Sequence, residues 1–544
     1  MKSMKKLVTL LLSLVMLCAL AMPAMAADAT YSITINGAKD HTYTAYQVLS
    51  GVYFHGDGKN NTDKNKEYLS DIKWGDAIDQ TKILGNLQGS TIIGSDFTGE
   101  KSAEEVAYIL QGYANKSEKL DEFARIVNNS LKADATGKIS GVVGKDKITT
   151  IDELSAGYYF VKDTGTINDG EIATKFLVEV VGNANVTVKA QAPEFEKKVV
   201  NGSADKGTSV NVGDKVKFQL TAKVPDMASF DDYTFTMHDT LSEGLTFNAD
   251  SVKVTINNNG PVDANKYKLT YTEGEQNFTI AFTKAQLKDL VKHTGGTGEE
   301  TAFGATIVVE YTATLNEKAL NKDVETNKAY LEYTNDPSGN GTGTKKTPEA
   351  PVYVYDFDIT VDKFDGTNQT GQNPTSEKLK DAKFVLYRKV TTDGVEKVEY
   401  YYWNKTDPNN KKVDWVDSVD KASEVTTDDK GAATFNGLAA GTYYLKETKA
   451  PDGYNTQKED AKVEIKASYK EDGTLNTSVD GCKLKQDAEG KHYYQVESIA
   501  NKAGAVLPST GGIGTTIFYV LGSILALGAA VLLIVKKRMN GQDR

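Results

Sequence analysis

Short stretches in which apolar and polar residues alternate recur along the chain, and this period of two predicts β-strands. Near the N-terminus, for example, Tyr31, Ile33 and Ile35 share one face of a predicted strand. The stretches are bounded by Gly, Asn and Asp, which favour turns. The pattern therefore predicts a mainly β protein.

Apolar residues spaced three or four apart predict helices in two regions. The first is a helical insertion in the N-terminal third of the chain, where Ser102 and Glu105 form a capping-box pattern. Its apolar stripe consists of Leu120, Phe123, Ala124, Val127 and Leu131. A second, short helix is predicted over residues 284–292, with Thr283 and Gln286 as its capping pair.

The C-terminal segment combines a pentapeptide, an apolar run and a basic tail. The pentapeptide is Leu507-Pro508-Ser509-Thr510-Gly511, the run covers residues 513–535, and Lys536-Lys537-Arg538 follow. At about 1.5 Å per residue, the run is long enough to cross a bilayer core of about 30 Å. Because cationic residues stay on the cytoplasmic side, everything before Leu507 is expected outside the cell. An ordinary tail anchor is the simpler alternative.

The N-terminal segment has the pattern of a secretory signal peptide. Lys2, Lys5 and Lys6 precede an apolar stretch over residues 7–20, and small residues at 24–26 offer a cleavage site. We expect residues 1–26 to be removed. Lipid attachment at Cys18 is not expected, because the residue before it is a leucine.

The remaining length suggests three domains. We place them at 27–190, 191–336 and 352–502, with a linker rich in Gly, Thr and Pro at 337–351 and a sorting signal at 507–544. Tandem immunoglobulin-like sandwiches are the most economical architecture. Cys482 alone remains after removal of the signal peptide, so no internal disulfide is possible. The formal charge of -11 argues against nucleic-acid binding.

Lysine, acid and amide side chains lie on the apolar faces of several predicted strands. Lys363 is in phase with Phe357, Ile359 and Val361, and Lys197 is in phase with Phe195 and Val199. Asp239, Glu447 and Asn327 also share faces with apolar residues. Buried charges are rare unless something compensates for their desolvation.

Two explanations fit these inward residues. The first is a pair of buried lysine-carboxylate ion pairs, each with a hydrogen-bonded Asn. The second is an intramolecular isopeptide bond: burial lowers the pKa of lysine and raises that of a carboxyl group, so a neutral amine could attack the Asn carbonyl and release ammonia. Such bonds would replace the disulfides that this chain cannot form.

The C-terminal segment resembles the cell-wall sorting signal of Gram-positive bacteria, in which sortase cuts between Thr and Gly. The stretch Tyr444-Leu445-Lys446-Glu447-Thr448-Lys449-Ala450-Pro451-Asp452-Gly453-Tyr454 is similar to the E-box of Cna B-type domains, whose Glu catalyses a bond between Lys and Asn. That resemblance implies that Lys363 and Asn501 are bonded. Tyr494 and Val496 are out of phase with Asn501, so a bulge is expected between them.

The middle of the chain resembles the middle domain of sortase-assembled major pilins. The matching stretches are Pro193-Glu194-Phe195-Glu196-Lys197-Lys198-Val199, His238-Asp239-Thr240-Leu241 and Asn327-Lys328-Ala329. By this resemblance Lys197 is the bonding lysine, Asp239 the acid and Asn327 the amide. The first domain resembles the N-terminal domain of the same pilins through residues 41–47. Its opening strand has no inward lysine to partner Asp163, so no bond is expected there.

Pilins of this family polymerise by transfer of the C-terminal Thr of one subunit to a lysine near the end of the next subunit's first domain. The corresponding residue is Lys189, which alternation places opposite Val186 and Val188. Thr187 and Val188 stand where the family has Tyr-Pro, and Lys197 and Lys198 are competitors for this role.

The resemblance implies a non-enzymatic shaft subunit that is anchored in the cell wall and supports adhesion. Its implied partners are a pilus-specific sortase, a housekeeping sortase, identical subunits, minor pilins, peptidoglycan and host surface ligands. The alternative is a monomeric wall-anchored adhesin. No cofactor or metal is expected, because the five histidines show no metal-ligand spacing: His41, His55, His238, His293 and His492.

Overall fold

The fold is that of a computed structural model. It describes residues 13–15, 29–55, 67–115, 117–188, 193–200, 202–225, 227, 230, 232–292, 304–336, 343–367, 377–408, 410–478, 481–505, 507 and 513–539. Strands hold 45% of the described residues and helices 18%, so this part of the chain is mainly β. The strands form six sheets, which face each other in three successive pairs.

The first pair of sheets comprises β1–β9. Their bounds are Ser13–Val15, Tyr31–Asn36, Tyr43–His55, Glu67–Trp74, Lys138–Ile139, Ile148–Leu154, Gly157–Asp163, Lys175–Val180 and Ala184–Thr187. One sheet has the order β1-β9-β2-β6, and the other has the order β4-β3-β7-β8 with β5 paired to β3. The predicted signal peptide lies outside the described residues except for β1, which pairs antiparallel with β9.

Three helices cover the outer face of the second of these sheets. They are α1 (Gln80–Gly89), α2 (Ala103–Gln111) and α3 (Glu118–Asn129), with a 3-10 helix at Gly94–Phe97. The predicted capping box at the start of α2 is confirmed, since Ser102 and Glu105 bond reciprocally. In the predicted stripe Phe123, Ala124 and Val127 are buried. They pack in a cluster with Phe160 of the sheet, so this stripe is core.

The middle pair of sheets comprises β10–β20. Their bounds are Phe195–Val199, Gly207–Ser209, Lys215–Lys223, Phe235–Leu241, Leu245–Ile256, Lys268–Tyr271, Asn277–Phe282, Thr306–Leu315, Glu325–Thr334, Thr344–Lys346 and Ala350–Tyr355. The orders are β10-β12-β17-β14 and β11-β20-β18-β13-β16-β15. The predicted helix is α4 (Lys284–Lys292), and Thr283 and Gln286 form its capping pair. Two 3-10 helices lie at Ala264–Lys266 and Glu317–Asn321.

The last pair of sheets comprises β21–β30. Their bounds are Phe357–Asp365, Lys383–Thr392, Val395–Asn404, Lys412–Val416, Val425–Thr426, Ala432–Leu438, Gly441–Lys449, Ala461–Ile465, Lys485–Gln486 and Tyr493–Asn501, with a 3-10 helix at Val419–Lys421. The orders are β26-β21-β30-β29 and β24-β23-β22-β27-β28. The final element is α5 (Ile513–Met539).

The structure differs from the predicted linker at 337–351. Residues 344–346 form β19 and residues 350–355 form β20, and both strands pair with β18. Val352 and Val354 are buried in the core of the middle sandwich. One residue, Asp356, then separates β20 from β21, the first strand of the last sandwich. The junction between these two units is therefore tight rather than extended.

Backbone hydrogen bonds join neighbouring units. Between the first and second units, Ala173 donates its N–H to the carbonyl of Asn335 at 2.8 Å, and Gly170 donates to Lys346 at 2.9 Å. Between the second and third, Val212 N–H donates to Gly437 at 3.0 Å and Val413 N–H donates to Val212 at 2.8 Å. Each unit thus contacts the next through its backbone.

Candidate functional site

Lys197 lies in the interior of the middle sandwich and points from one sheet towards the other. It sits on β10, while Asp239 on β13 and Asn327 on β18 belong to the facing sheet. In the register of β13 and β18, Leu241 is opposite Asn327 and Asp239 is opposite Ala329, so the acid and the amide lie diagonally on one face. Strand alternation therefore brings together three polar side chains that are far apart in sequence.

The three side chains are in direct contact. Lys197 Nζ lies 2.6 Å from Asp239 Oδ2 and 2.5 Å from Asn327 Oδ1. All three residues are at most 1% exposed. Burial lowers the pKa of Lys197 to about 8, and it raises the pKa of Asp239 above its usual value. Both shifts favour the neutral amine and the protonated acid, the forms needed for attack on the amide.

Tyr311 on β17 is a fourth member of this cluster, which sequence reasoning missed. Its hydroxyl donates to Asp239 Oδ2 at 2.7 Å and accepts from Asn327 Nδ2 at 2.8 Å. The Tyr311 hydroxyl therefore bridges the carboxyl group of Asp239 and the amide nitrogen of Asn327. In the sequence Tyr311 alternates in phase with buried Val309 and Ala313, and it is indistinguishable there from an ordinary core tyrosine.

A second cluster lies in the last sandwich. Lys363 on β21 contacts Asn501 Oδ1 and lies 3.5 Å from Glu447 Oε1. Asn501 Nδ2 donates to both carboxylate oxygens of Glu447, at 2.9 Å and 3.1 Å. The side chains of Lys363 and Glu447 are fully buried, and burial lowers the pKa of Lys363 to about 8. Here the acid contacts the amide nitrogen directly, without a bridging tyrosine.

The expected bulge before Asn501 is absent. β30 pairs in parallel with β21 without interruption, from Asp358 opposite Tyr494 to Asp365 opposite Asn501. Gln495 and Ile499 are the buried residues that share the face of Asn501. The bulge was predicted because the apolar residues Tyr494 and Val496 were taken to mark the buried face. The buried face instead carries the polar Gln495, and Tyr494 and Val496 on the other face are only partly buried.

The first sandwich has a different partner for its inward acid. His41 Nδ1 lies 2.5 Å from Asp163 Oδ2, and His41 Nε2 lies 3.2 Å from Glu171 Oε2. His41 is fully buried, and its pKa is raised by the hydrogen bond to Asp163. In this sandwich the inward acid is thus paired with a buried histidine that lies between two carboxylates.

This histidine predicts a pH dependence for the first sandwich. Because the folded pKa of His41 is raised above 6.5, its contribution to stability is complete below that value and is lost as the pH rises through the folded pKa. Calorimetry of residues 27–506 should show one transition whose midpoint falls over that range, and His41→Gln should remove this slope. The partly exposed His238 pairs with Glu332, so His238→Gln is the matched control. An unchanged slope in His41→Gln would contradict the assignment.

The segments predicted to carry polymer chemistry are only partly described. Leu507 is 81% exposed, whereas Pro508, Ser509, Thr510 and Gly511 lie outside the described residues, as does Lys189. Val186 is buried and Val188 packs against the same core, as alternation requires. Residues 514–539 of α5 are apolar enough to span a membrane, with a hydropathy of 2.6.

Two family models match the C-terminal part of the chain. Residues 358–483 match SpaA, a prealbumin-like fold domain, and residues 499–541 match the LPXTG cell wall anchor motif. The chain is also 26% identical over 403 residues to the trypsin-resistant surface T6 protein of Streptococcus pyogenes serotype M6, covering 64% of this chain and 70% of that protein. The chain is therefore similar to LPXTG-anchored pilins.

Solved pilin structures are similar to this chain. The T6 backbone pilin of S. pyogenes, described as a modular three-domain structure, is 19% identical with a TM-score of 0.50, over 89% of this chain and 96% of that chain. The major pilin SpaA of Corynebacterium diphtheriae is 17% identical with a TM-score of 0.42, over 87% and 99%. The LPXTG anchor motif and the similarity to the T6 surface protein indicate a structural protein of the bacterial surface, anchored in the cell wall.

Proposed function

We propose that this pilin is the shaft subunit of a covalent surface pilus, joined head to tail by a pilus-specific sortase. The observation that carries the proposal is the combination of a sorting signal with two buried lysine-acid-asparagine clusters. The clusters suit a protein that must stay folded outside the cell without disulfides. Minor pilins, a housekeeping sortase and peptidoglycan are the further partners, and any host surface ligand would be bound by the assembled pilus.

The polymer bond would be an amide between two subunits. The bond between Thr510 and Gly511 breaks, sortase holds the Thr510 acyl group, and the amine of Lys189 on the next subunit accepts it. In the sequence Lys189 lies between β9 and β10, and alternation with Val186 and Val188 predicts that its side chain faces away from the core. The final transfer, to an amine of peptidoglycan, would anchor the shaft.

The internal bonds would form without an external enzyme. In the middle sandwich the neutral Lys197 amine attacks the Asn327 side-chain carbonyl, and the bond from that carbon to the amide nitrogen breaks. The protonated Asp239 gives its proton through the Tyr311 hydroxyl to the leaving nitrogen and takes up the proton lost by the amine, so the nitrogen departs as ammonia and the acid is regenerated. The contacts among Asp239, Tyr311 and Asn327 Nδ2 support this route.

In the last sandwich the same chemistry would need no bridging tyrosine. Lys363 attacks Asn501, and Glu447 both receives the proton and returns it to the amide nitrogen, which it already contacts. A Tyr311→Phe variant should therefore slow bond formation in the middle sandwich alone. In the proposed chemistry each completed bond lowers the intact mass by one ammonia.

Polymerisation should require Lys189. In cells with the matching pilus sortase, Lys189→Ala should abolish the ladder of polymers on an anti-pilin blot of boiled wall extract, because the acyl group then lacks its acceptor. Monomer should still reach the wall, since peptidoglycan supplies a different amine. Deletion of residues 507–511 should prevent both outcomes. Lys198→Ala is the matched control, because Lys198 lies in the same region on β10.

Other outcomes separate the alternatives. A ladder that survives in Lys189→Ala and disappears in Lys198→Ala would move the linkage site to β10. Absence of any ladder, with normal wall attachment in every variant, would favour the monomeric adhesin over the shaft subunit.

A further inference from the structure

Two aspartates and a histidine, residue types that commonly bind metal ions, lie close together at the tight junction between the middle and last sandwiches. Asp356 is the residue between β20 and β21, Asp358 is the second residue of β21, and His492 directly precedes β30. One ligand atom from each residue lies within 4.8 Å of the other two. More than a hundred residues separate the histidine from the acids, which is why spacing in the sequence did not reveal the group.

The distances suit a shared cation. His492 Nε2 is 3.2 Å from Asp358 Oδ1 and 4.0 Å from Asp356 Oδ2. Ligand atoms about 2.1 Å from a tetrahedral Zn²⁺ are roughly 3.4 Å apart, so a small adjustment of these side chains would complete such a site. The Asp358 side chain is 16% exposed, which leaves a route for the ion and a position for water.

A hydrogen bond orients the imidazole as a ligand. His492 Nδ1 lies 3.0 Å from the carbonyl oxygen of Lys322, which can only accept a hydrogen bond. Nδ1 therefore carries the proton, and in the neutral ring the Nε2 lone pair points towards the carboxylates. This arrangement, in which a backbone carbonyl fixes the tautomer, is the usual outer support of a histidine that binds a metal.

Two atoms of the group have no hydrogen-bond partner among the described residues. They are Asp356 Oδ2 and His492 Nε2, and both side chains are more than nine-tenths buried. Buried polar atoms without partners are costly. The buried side chain of Glu325 adds further negative charge close to Asp356. The site thus brings two carboxylates and an imidazole together, and no lysine or arginine among the described residues is ion-paired with either aspartate.

We propose that Asp356, Asp358 and His492 bind one divalent transition-metal ion such as Zn²⁺ at this junction. Imidazole is a good ligand for Zn²⁺ and a poor one for Ca²⁺, whose ligands are oxygens. Two carboxylates balance the charge of the ion. Because the histidine is held by Lys322 of the middle sandwich, the ion would clamp that sandwich to the last one.

The test is calorimetric titration of residues 27–506 with ZnCl₂ and with CaCl₂ at neutral pH. Cys482→Ser is the background for every protein, because a free thiol also binds zinc. We expect one Zn²⁺ per chain with release of protons, no comparable Ca²⁺ binding, and a melting temperature that rises with zinc concentration. His492→Gln and Asp358→Asn should each weaken binding at least about tenfold, whereas His238→Gln should not.

Two outcomes would overturn the proposal. Binding that survives unchanged in both His492→Gln and Asp358→Asn would place the ion elsewhere. Absence of stoichiometric zinc binding by the folded wild-type ectodomain would mean that a protonated imidazole alone satisfies the carboxylates. Neither outcome bears on the polymer, so failure here leaves the proposed shaft function standing.

Discussion

An Asp239→Ala ectodomain should melt at a lower temperature than the wild type, be cut faster by trypsin and weigh one ammonia more than expected from the substitution alone. Without the buried acid, the amine of Lys197 has no proton acceptor and the amide nitrogen leaves poorly. Wild-type residues 27–506 should have a mass lower than the sequence value by two ammonia molecules. Intact-mass spectrometry and calorimetry of the two proteins provide the check.

The expected loss of stability is large. Lys197 and Asn327 are 130 residues apart, and closing a loop of that length stabilises by about 5 kcal/mol in the chain-entropy estimate. Removal of Asp239 also leaves a buried lysine without its partner, which typically costs about 3–5 kcal/mol. Lys197→Met removes the bond without that buried charge, so the difference between the two variants separates the covalent from the electrostatic contribution.

Two results would contradict this prediction. Equal melting temperatures for the wild type and Lys197→Met would show that the bond is absent or dispensable to the fold. An unmodified wild-type mass would show that the cluster is an ion pair with a hydrogen-bonded amide, the simpler explanation of the sequence pattern.

The Glu447→Ala variant should lose the cross-link of the last sandwich while the middle sandwich keeps its own. Lys363 and Asn501 are 138 residues apart, so the chain-entropy contribution is again about 5 kcal/mol. Calorimetry should show the transition of the last sandwich at a lower temperature. The intact mass should be lower than the value calculated from the variant sequence by one ammonia instead of two. In Asp239→Ala, by contrast, the transition of the middle sandwich should move, so calorimetry distinguishes the two variants.

The control for Glu447→Ala is Glu464→Ala, since Glu464 is an exposed acid in the same sheet. It should keep both bonds and melt like the wild type. If Glu447→Ala still loses two ammonia molecules, Glu447 is not the acid that promotes the reaction. Limited proteolysis should place the first new cuts of Glu447→Ala in residues 363–501.

Strand periodicity was sufficient to place both lysines in the core. Lys197 and Lys363 are buried because each occupies a fixed phase between apolar neighbours, and phase is a local property that the sequence displays directly. The helix caps at Ser102 and Thr283 were equally local. The β class, the capping residues and the inward direction of the acids could therefore be predicted without knowledge of the tertiary fold.

Contacts between distant strands could not be predicted in the same way. Tyr311 reaches Asp239 across the two sheets, and His41 reaches Asp163 at a separation of 122 residues. Neither Tyr311 nor His41 departs from the polar and apolar pattern around it, so the sequence does not mark either one as part of a cluster. Residues 344–346 and 350–351 were mistaken for linker because Gly, Thr and Pro surround them, whereas pairing with β18 makes them strands.

The two internal cross-links, connected through the short passage from β20 to β21, would determine how such a shaft carries mechanical tension. With both bonds formed and the polymer linked through Lys189, a pulling force would travel along residues 189–197, cross to Asn327, follow the backbone to Lys363, cross to Asn501 and leave at Thr510. Residues 198–326 and 364–500 would bear no load, and neither would the first sandwich. That sandwich would then need only its buried His41 ion pairs, while the two loaded ones could not lengthen by unfolding.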